Sequence, residues 1–214
     1  NPTLADDSHT SLTWRAGLAA MVGAPIEVAG GWRAGLDIGA LALLVLAPSA
    51  EGGPSDERAS LKTVATFPLA GQTLAAALSW LQAQFRAGHP TVDFSAPQRR
   101  EYALPAHAVA DGGAFPAPPD GDALAALSDT FHNASAALKD HATGPGVPSP
   151  VRIWPHHFDI AQLVTLPAAA PAGSAPEDIS DDPAEDAAES AQSVGLGLSP
   201  GDEGSPLPYW YVSP

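Results

Sequence analysis

The sequence predicts an α+β fold, with a mainly antiparallel or mixed sheet and about three helices. Three observations predict it. Apolar segments of strand length come in blocks, with helical patterns between them and no regular βαβα alternation. Two longer segments repeat their apolar residues at helical spacing. Glycine and proline number 20 and 23 of 214 residues, well above the usual ~12%, so turns are frequent. That length suits a single domain over residues 1–214.

Thr10 to Val22 reads as the first helix. Leu12, Leu18, Met21 and Val22 can share a face, Ser8 or Thr10 can cap the start, and Gly23 can close it. Trp32 to Leu46 reads as extended, a strand buried on both faces or a hairpin arm, built on Leu36, Ile38 and the run Leu41 to Leu46. Pro48 to Ser60 reads as a loop. Lys62 to Phe67 alternates and suits a partner strand. Gln72 to Ala87 is the clearest helix, with Leu74, Leu78, Leu81 and Phe85 on one stripe and Gly88 as terminator. Pro90 to Pro119 reads as irregular, with a short extended piece near Tyr102. A further helix runs from about Asp122 to His141 on Leu124, Leu127, Phe131, Ala134 and Leu138. Val151 to Trp154 and Phe158 to Leu166 read as one strand or two, interrupted at Pro155. Ser193 to Leu198 and the aromatic Pro208 to Ser213 read as the last strands.

Composition excludes several functions. With no cysteine, a disulfide framework, a thiolate metal site and a cysteine nucleophile are impossible. The formal net charge is −15, which argues against nucleic acid, whose phosphates need a basic face. The longest apolar run, Ile38 to Ala47, is about half the ~20 residues a membrane helix needs, so no membrane association is expected. The acidic start, Asn1 to Asp7, shows no signal-peptide pattern, and the cytoplasm is the expected compartment. The charge is unevenly placed. No Lys or Arg follows Arg152, while Asp159, Asp202, Glu203 and seven acids between Glu177 and Glu189 do. The stretch 167–191 therefore reads as a disordered acidic loop.

The densest polar cluster is Trp154-Pro155-His156-His157-Phe158-Asp159. In an extended chain His157 and Asp159 would point one way, and His156 and Phe158 the other. A His-x-Asp pair supplies two legs of a site for Zn, Mn or Fe(II), since imidazole and carboxylate suit those ions. His9, beside Asp6 and Asp7, is the first candidate for a third ligand. Asp202 and Glu203, after a strand, are the next candidates as ligand or general base. Alternation in the last strand puts Tyr209 and Tyr211 on one face and Trp210 on the other. With Trp154 and His156, the tyrosines are candidate ligand contacts. Gly197-Leu198-Ser199-Pro200-Gly201 matches a nucleophile elbow in letters only. Pro200 has no N–H for an oxyanion, and no His follows Ser199. No dinucleotide fingerprint or phosphate loop is present.

Taken together, W-P-H-H-F-D at 154–159, G-L-S-P-G-D-E at 197–203 and P-Y-W-Y-V at 208–212 resemble a group of uncharacterised bacterial proteins, and Asp6 to Thr10 resembles that group's N-terminal motif. The resemblance implies no established activity. It implies a natural C-terminus beyond Pro214 and makes the acidic stretch before Ser193 a loop elaboration.

Two functional readings follow. In the first, His9, His157 and Asp159 hold a divalent metal and Asp202 or Glu203 acts as base, in a metal-assisted enzyme for a small molecule. In the second, Trp154, His156, Tyr209 and Tyr211 line the pocket of a non-catalytic ligand- or protein-binding module. A purely structural role for the same cluster is the third possibility. The oligomeric state is open.

Overall fold

A computed structural model describes residues 8–49, 61–95, 106–118, 121–141, 146–167, 192–202 and 204–214. The acidic stretch 168–191, Glu203, Asp6, Asp7 and Tyr102 lie outside them. Two antiparallel five-stranded sheets and two α-helices make up the described fold. The α+β class is as expected, with two α-helices among the described residues instead of about three.

The first sheet is a meander of β1 (Thr13–Arg15), β2 (Ala20–Val22), β3 (Arg33–Asp37), β4 (Ala42–Pro48) and β5 (Leu61–Pro68). The helix expected over Thr10–Val22 is instead the β1–β2 hairpin, closed by a 3-10 turn at Ala16–Leu18. Ala19 takes the left-handed conformation, φ 48°, that lets the chain double back. Met21 and Val22 are adjacent and both almost fully buried. Met21 joins the core beneath the helices, and Val22 joins a cluster with Ala20, Leu44 and Leu46. Both faces of this strand are therefore covered, and helical spacing imitates that pattern. Gly17, mid-segment, also weakens a helix by ~1 kcal/mol relative to Ala. The extended segment Trp32–Leu46 is a hairpin, β3 and β4, turning where Asp37 Oδ1 accepts from Ala40 N at 2.9 Å.

The second sheet has the order β10–β9–β8–β6, with β7 also paired to β8. Its strands are β6 (Val147–Pro148), β7 (Arg152–Trp154), β8 (Asp159–Thr165), β9 (Ser193–Ser199) and β10 (Tyr209–Ser213). β6 and β7 share one edge of β8. Pro150, which cannot donate to the ladder, lies in the break between them. One antiparallel bridge joins the two sheets: Leu12 and Ile153 exchange both backbone hydrogen bonds, each 2.8 Å.

The helices are α1 (Leu74–Gly88) and α2 (Gly121–His141). Thr73 caps α1, its Oγ1 accepting from Ala76 N at 3.1 Å. Gly88 is the last helical residue, and its missing side chain makes room for the Trp32 ring. α1 packs on β4 and β5, and α2 on β8, β9 and β1. The main core lies under α2. Phe131, Ala134 and Leu138 meet Trp14 and Met21 from the first sheet and Ile153, Ile160 and Leu198 from the second. No described helix is long and apolar enough to cross a membrane.

Candidate functional site

The core fixes which face of the second sheet is free. Ile160 and Leu198 point into α2. The pleat therefore turns Asp159 and Ala161 of β8, and Gly197 and Ser199 of β9, to the opposite face. Register adds β10: Tyr209 lies opposite Ser199, and Tyr211 opposite Gly197. Tyr209 and Tyr211 share this face and are half-buried, while Trp210 is 55% exposed on the other.

Gly197 is the key to the geometry. A side chain there would collide with the Tyr211 ring and hydroxyl. With glycine, the ring lies across β9, and the phenol reaches β8 to donate to Asp159 Oδ2 at 2.5 Å. Three strands thus meet in one hydrogen bond, between residues 52 apart in sequence.

Pro155 to Phe158 form a tight turn between β7 and β8, closed by Phe158 N donating to Trp154 O at 2.8 Å. Phe158 is left-handed, φ 57°. Strand alternation therefore does not hold for 156–158. The turn, not the pleat, places His156 and His157, exposed at the end of the sheet with ring centroids 4.8 Å apart.

Asp202 organises the loop after β9. Its Oδ1 accepts from Gly204 N at 2.8 Å and Ser205 N at 2.9 Å, and its Oδ2 from the Tyr209 phenol at 2.5 Å. The Tyr209 hydrogen bond, then the Ser205 and Gly204 amides, hold this carboxyl below its ordinary value, with the His157 charge adding a smaller effect. A carboxylate so engaged is a weak proton acceptor, which argues against Asp202 as general base. Glu203, the other candidate base, lies outside the described residues.

His156, His157, Asp159, Ser199, Asp202, Tyr209 and Tyr211 line one cavity of about 350 Å³. Trp154 lines a neighbouring one of about 330 Å³ that shares Tyr211. His9 is elsewhere. The ladder stops at the Leu12–Ile153 bridge, and the chain before it coils into a 3-10 turn, Ser8–Thr10. His9 therefore lines a separate cavity of about 530 Å³ beside Leu81, Phe85 and Phe94. The triad His9, His157 and Asp159 is thus not brought to one point. Among the described residues no group of three or more His, Asp or Glu is assembled that could hold a metal ion. Sequence reasoning missed Ser199 and the role of Gly197. The available signal was a Gly-x-Gly within a strand that pairs with a Tyr-x-Tyr strand, where small residues let large rings lie flat.

The phenols carry a testable electrostatic signature. Burial first, then the hydrogen bond and charge of Asp159, push the Tyr211 phenol well above its ordinary value of 10.0. The Asp202 hydrogen bond raises Tyr209. Raised phenol values stabilise the fold fully below the unfolded value near 10, and that stability is lost as pH rises through the folded values. Tyrosinate absorbance is therefore expected to show two of the three tyrosines ionising late. Asp159→Asn should bring one of the two down. Three tyrosines titrating together near the ordinary value would refute the arrangement. No family model, curated protein or solved structure matches the chain.

Proposed function

We propose that this chain is a non-catalytic binding module whose pocket takes an amine-bearing small molecule. The observation that carries the reading is the pairing of two carboxylates with two phenols around one cavity. Asp159 spends Oδ2 on Tyr211, and its Oδ1 accepts no hydrogen bond among the described residues. An ammonium brings three donors and a positive charge to such an oxygen. The faces of Tyr209 and Tyr211 add cation–π attraction of about 0.5–1 kcal/mol at a half-exposed site. No Lys or Arg follows Arg152 in the sequence, so the acidic groups after it draw cations toward the Asp159 and Asp202 end of this face. The pocket lies at the small end of the ~300–1,000 Å³ usual for ligand sites. The metal-assisted alternative draws less support, because His9 lines a different cavity from His157 and Asp159.

The test is calorimetric titration of the chain with hexylamine and, separately, with hexanoate. Hexylamine is expected to bind saturably and raise the melting temperature, and hexanoate to do neither. Asp159→Asn should weaken hexylamine about tenfold or more, the loss expected for one charged hydrogen bond. Equal binding of both compounds, or none of hexylamine, would refute the reading. So would tight Zn2+ binding that depends on His157.

A further inference from the structure

We infer that the ligand is dipolar, with a carboxylate held at the Arg152 end of the same face, about one residue pair away from the amine. This rests on the amine reading above and extends it. The two cavities share Tyr211, which stands between them. On one side lie Asp159 and Asp202. On the other lie Arg152, Trp154 and Ser213.

The spacing follows from the ladder. Trp154 pairs with Asp159 and Arg152 with Ala161. Arg152 and Asp159 are therefore diagonal neighbours on one face, about 7–8 Å apart in such a ladder. Trp154 follows Arg152 on that face, directly opposite Asp159, and gives the Arg152 cavity an apolar wall. Arg152 donates from Nη1 to Ser11 Oγ at 3.0 Å and has no carboxylate partner among the described residues. Its guanidinium keeps further N–H groups in a fork that suits a carboxylate. The Ser213 hydroxyl flanks the same cavity with no hydrogen bond among the described residues. It is a second donor for an anion.

Arg152 is also the last Lys or Arg in the sequence. A ligand lying along this face meets one cation at one end and carboxylates at the other. A simple amine uses half of that surface, and a simple carboxylate meets Asp159 and Asp202 if it slides. A molecule with ammonium and carboxylate separated by a short chain satisfies both ends. ω-Amino acids and the termini of very short peptides belong to this class.

The experiment titrates the full chain with 6-aminohexanoate, hexylamine and hexanoate. 6-Aminohexanoate is expected to bind about tenfold or more tightly than hexylamine, the gain of one charged hydrogen-bonded pair. Arg152→Gln should remove that gain without weakening hexylamine, since the lost guanidinium repels an ammonium at the Asp159 end. Arg152→Lys, which keeps the charge, should retain part of it. If 6-aminohexanoate and hexylamine bind the unaltered chain equally, the dipolar inference falls and the amine reading stands. If neither binds, the amine reading falls with it. Should Arg152→Gln fail to fold, the comparison of the three compounds on the unaltered chain still decides the question.

Discussion

Phe131→Ala is expected to cost about 3–5 kcal/mol of stability, as truncating a fully buried aromatic does. Phe131 is 1% exposed and stacks on Trp14 with ring centroids 6.0 Å apart. The same cluster draws Ile153, Ile160 and Leu198 from the second sheet. One ring on α2 therefore packs against residues of both sheets, which among the described residues are also joined by the Leu12–Ile153 bridge and the Ser11–Arg152 hydrogen bond. Ala at 131 opens a cavity where the two halves meet, and neither sheet can collapse into it without leaving the other. Against a total stability of about 5–15 kcal/mol for a typical domain, that is a large fraction. A loss of this size lowers the melting temperature by roughly 10 °C for a chain of this length. Urea denaturation would measure it. His132→Ala, exposed on the same helix, serves as control and should stay within about 0.5 kcal/mol. If Phe131→Ala also stays within that margin, the core does not join the sheets as described.

The second large effect is on the site. Gly197→Ala places a methyl group where the Tyr211 ring lies. The obstructed atoms are the far end of a half-buried side chain, so the ring can swing toward solvent. Stability should fall by only about 1–3 kcal/mol, the usual range for overpacking. Hexylamine binding should fall about tenfold or more, because Asp159 loses the phenol that orients it. The phenol should also titrate nearer its ordinary value. A double-mutant cycle separates cause from coincidence. In a Tyr211→Ala background the added methyl has nothing to strike, so Gly197→Ala should then cost little. Strict additivity of the two substitutions would show that Gly197 does not act through Tyr211.

The sequence made the one-faced elements readable. α1 and α2 carry stripes on Leu74, Leu78, Leu81 and Phe85, and on Phe131, Ala134 and Leu138, because each packs one side on a sheet. β5 and β10 were readable at a period of two. The β1–β2 hairpin was not. Its strand is buried on both sides, and Ala19 turns through a conformation that no residue type there announces. At the site, Asp159, Tyr209 and Tyr211 follow from strand alternation once strands are assigned. His156 and His157 do not, since the left-handed Phe158 ends the strand pattern before them. The position of His9 depends on where the ladder beyond Leu12 stops, a fact of long-range pairing with no local trace. Arg152 was legible as the last basic residue, but its relation to Asp159 required the register.

The Leu12–Ile153 bridge also has a consequence in time. Its neighbours Ser11 and Arg152 are 141 residues apart. At the ~5–20 residues per second of translation, Leu12, next to β1, leaves the ribosome roughly ten seconds before its partner Ile153 is made. During that interval the first sheet ends in an open strand edge, a template for pairing with another chain. The three-residue length of β1 is one defence, since so short an edge offers few free groups to a wrong partner.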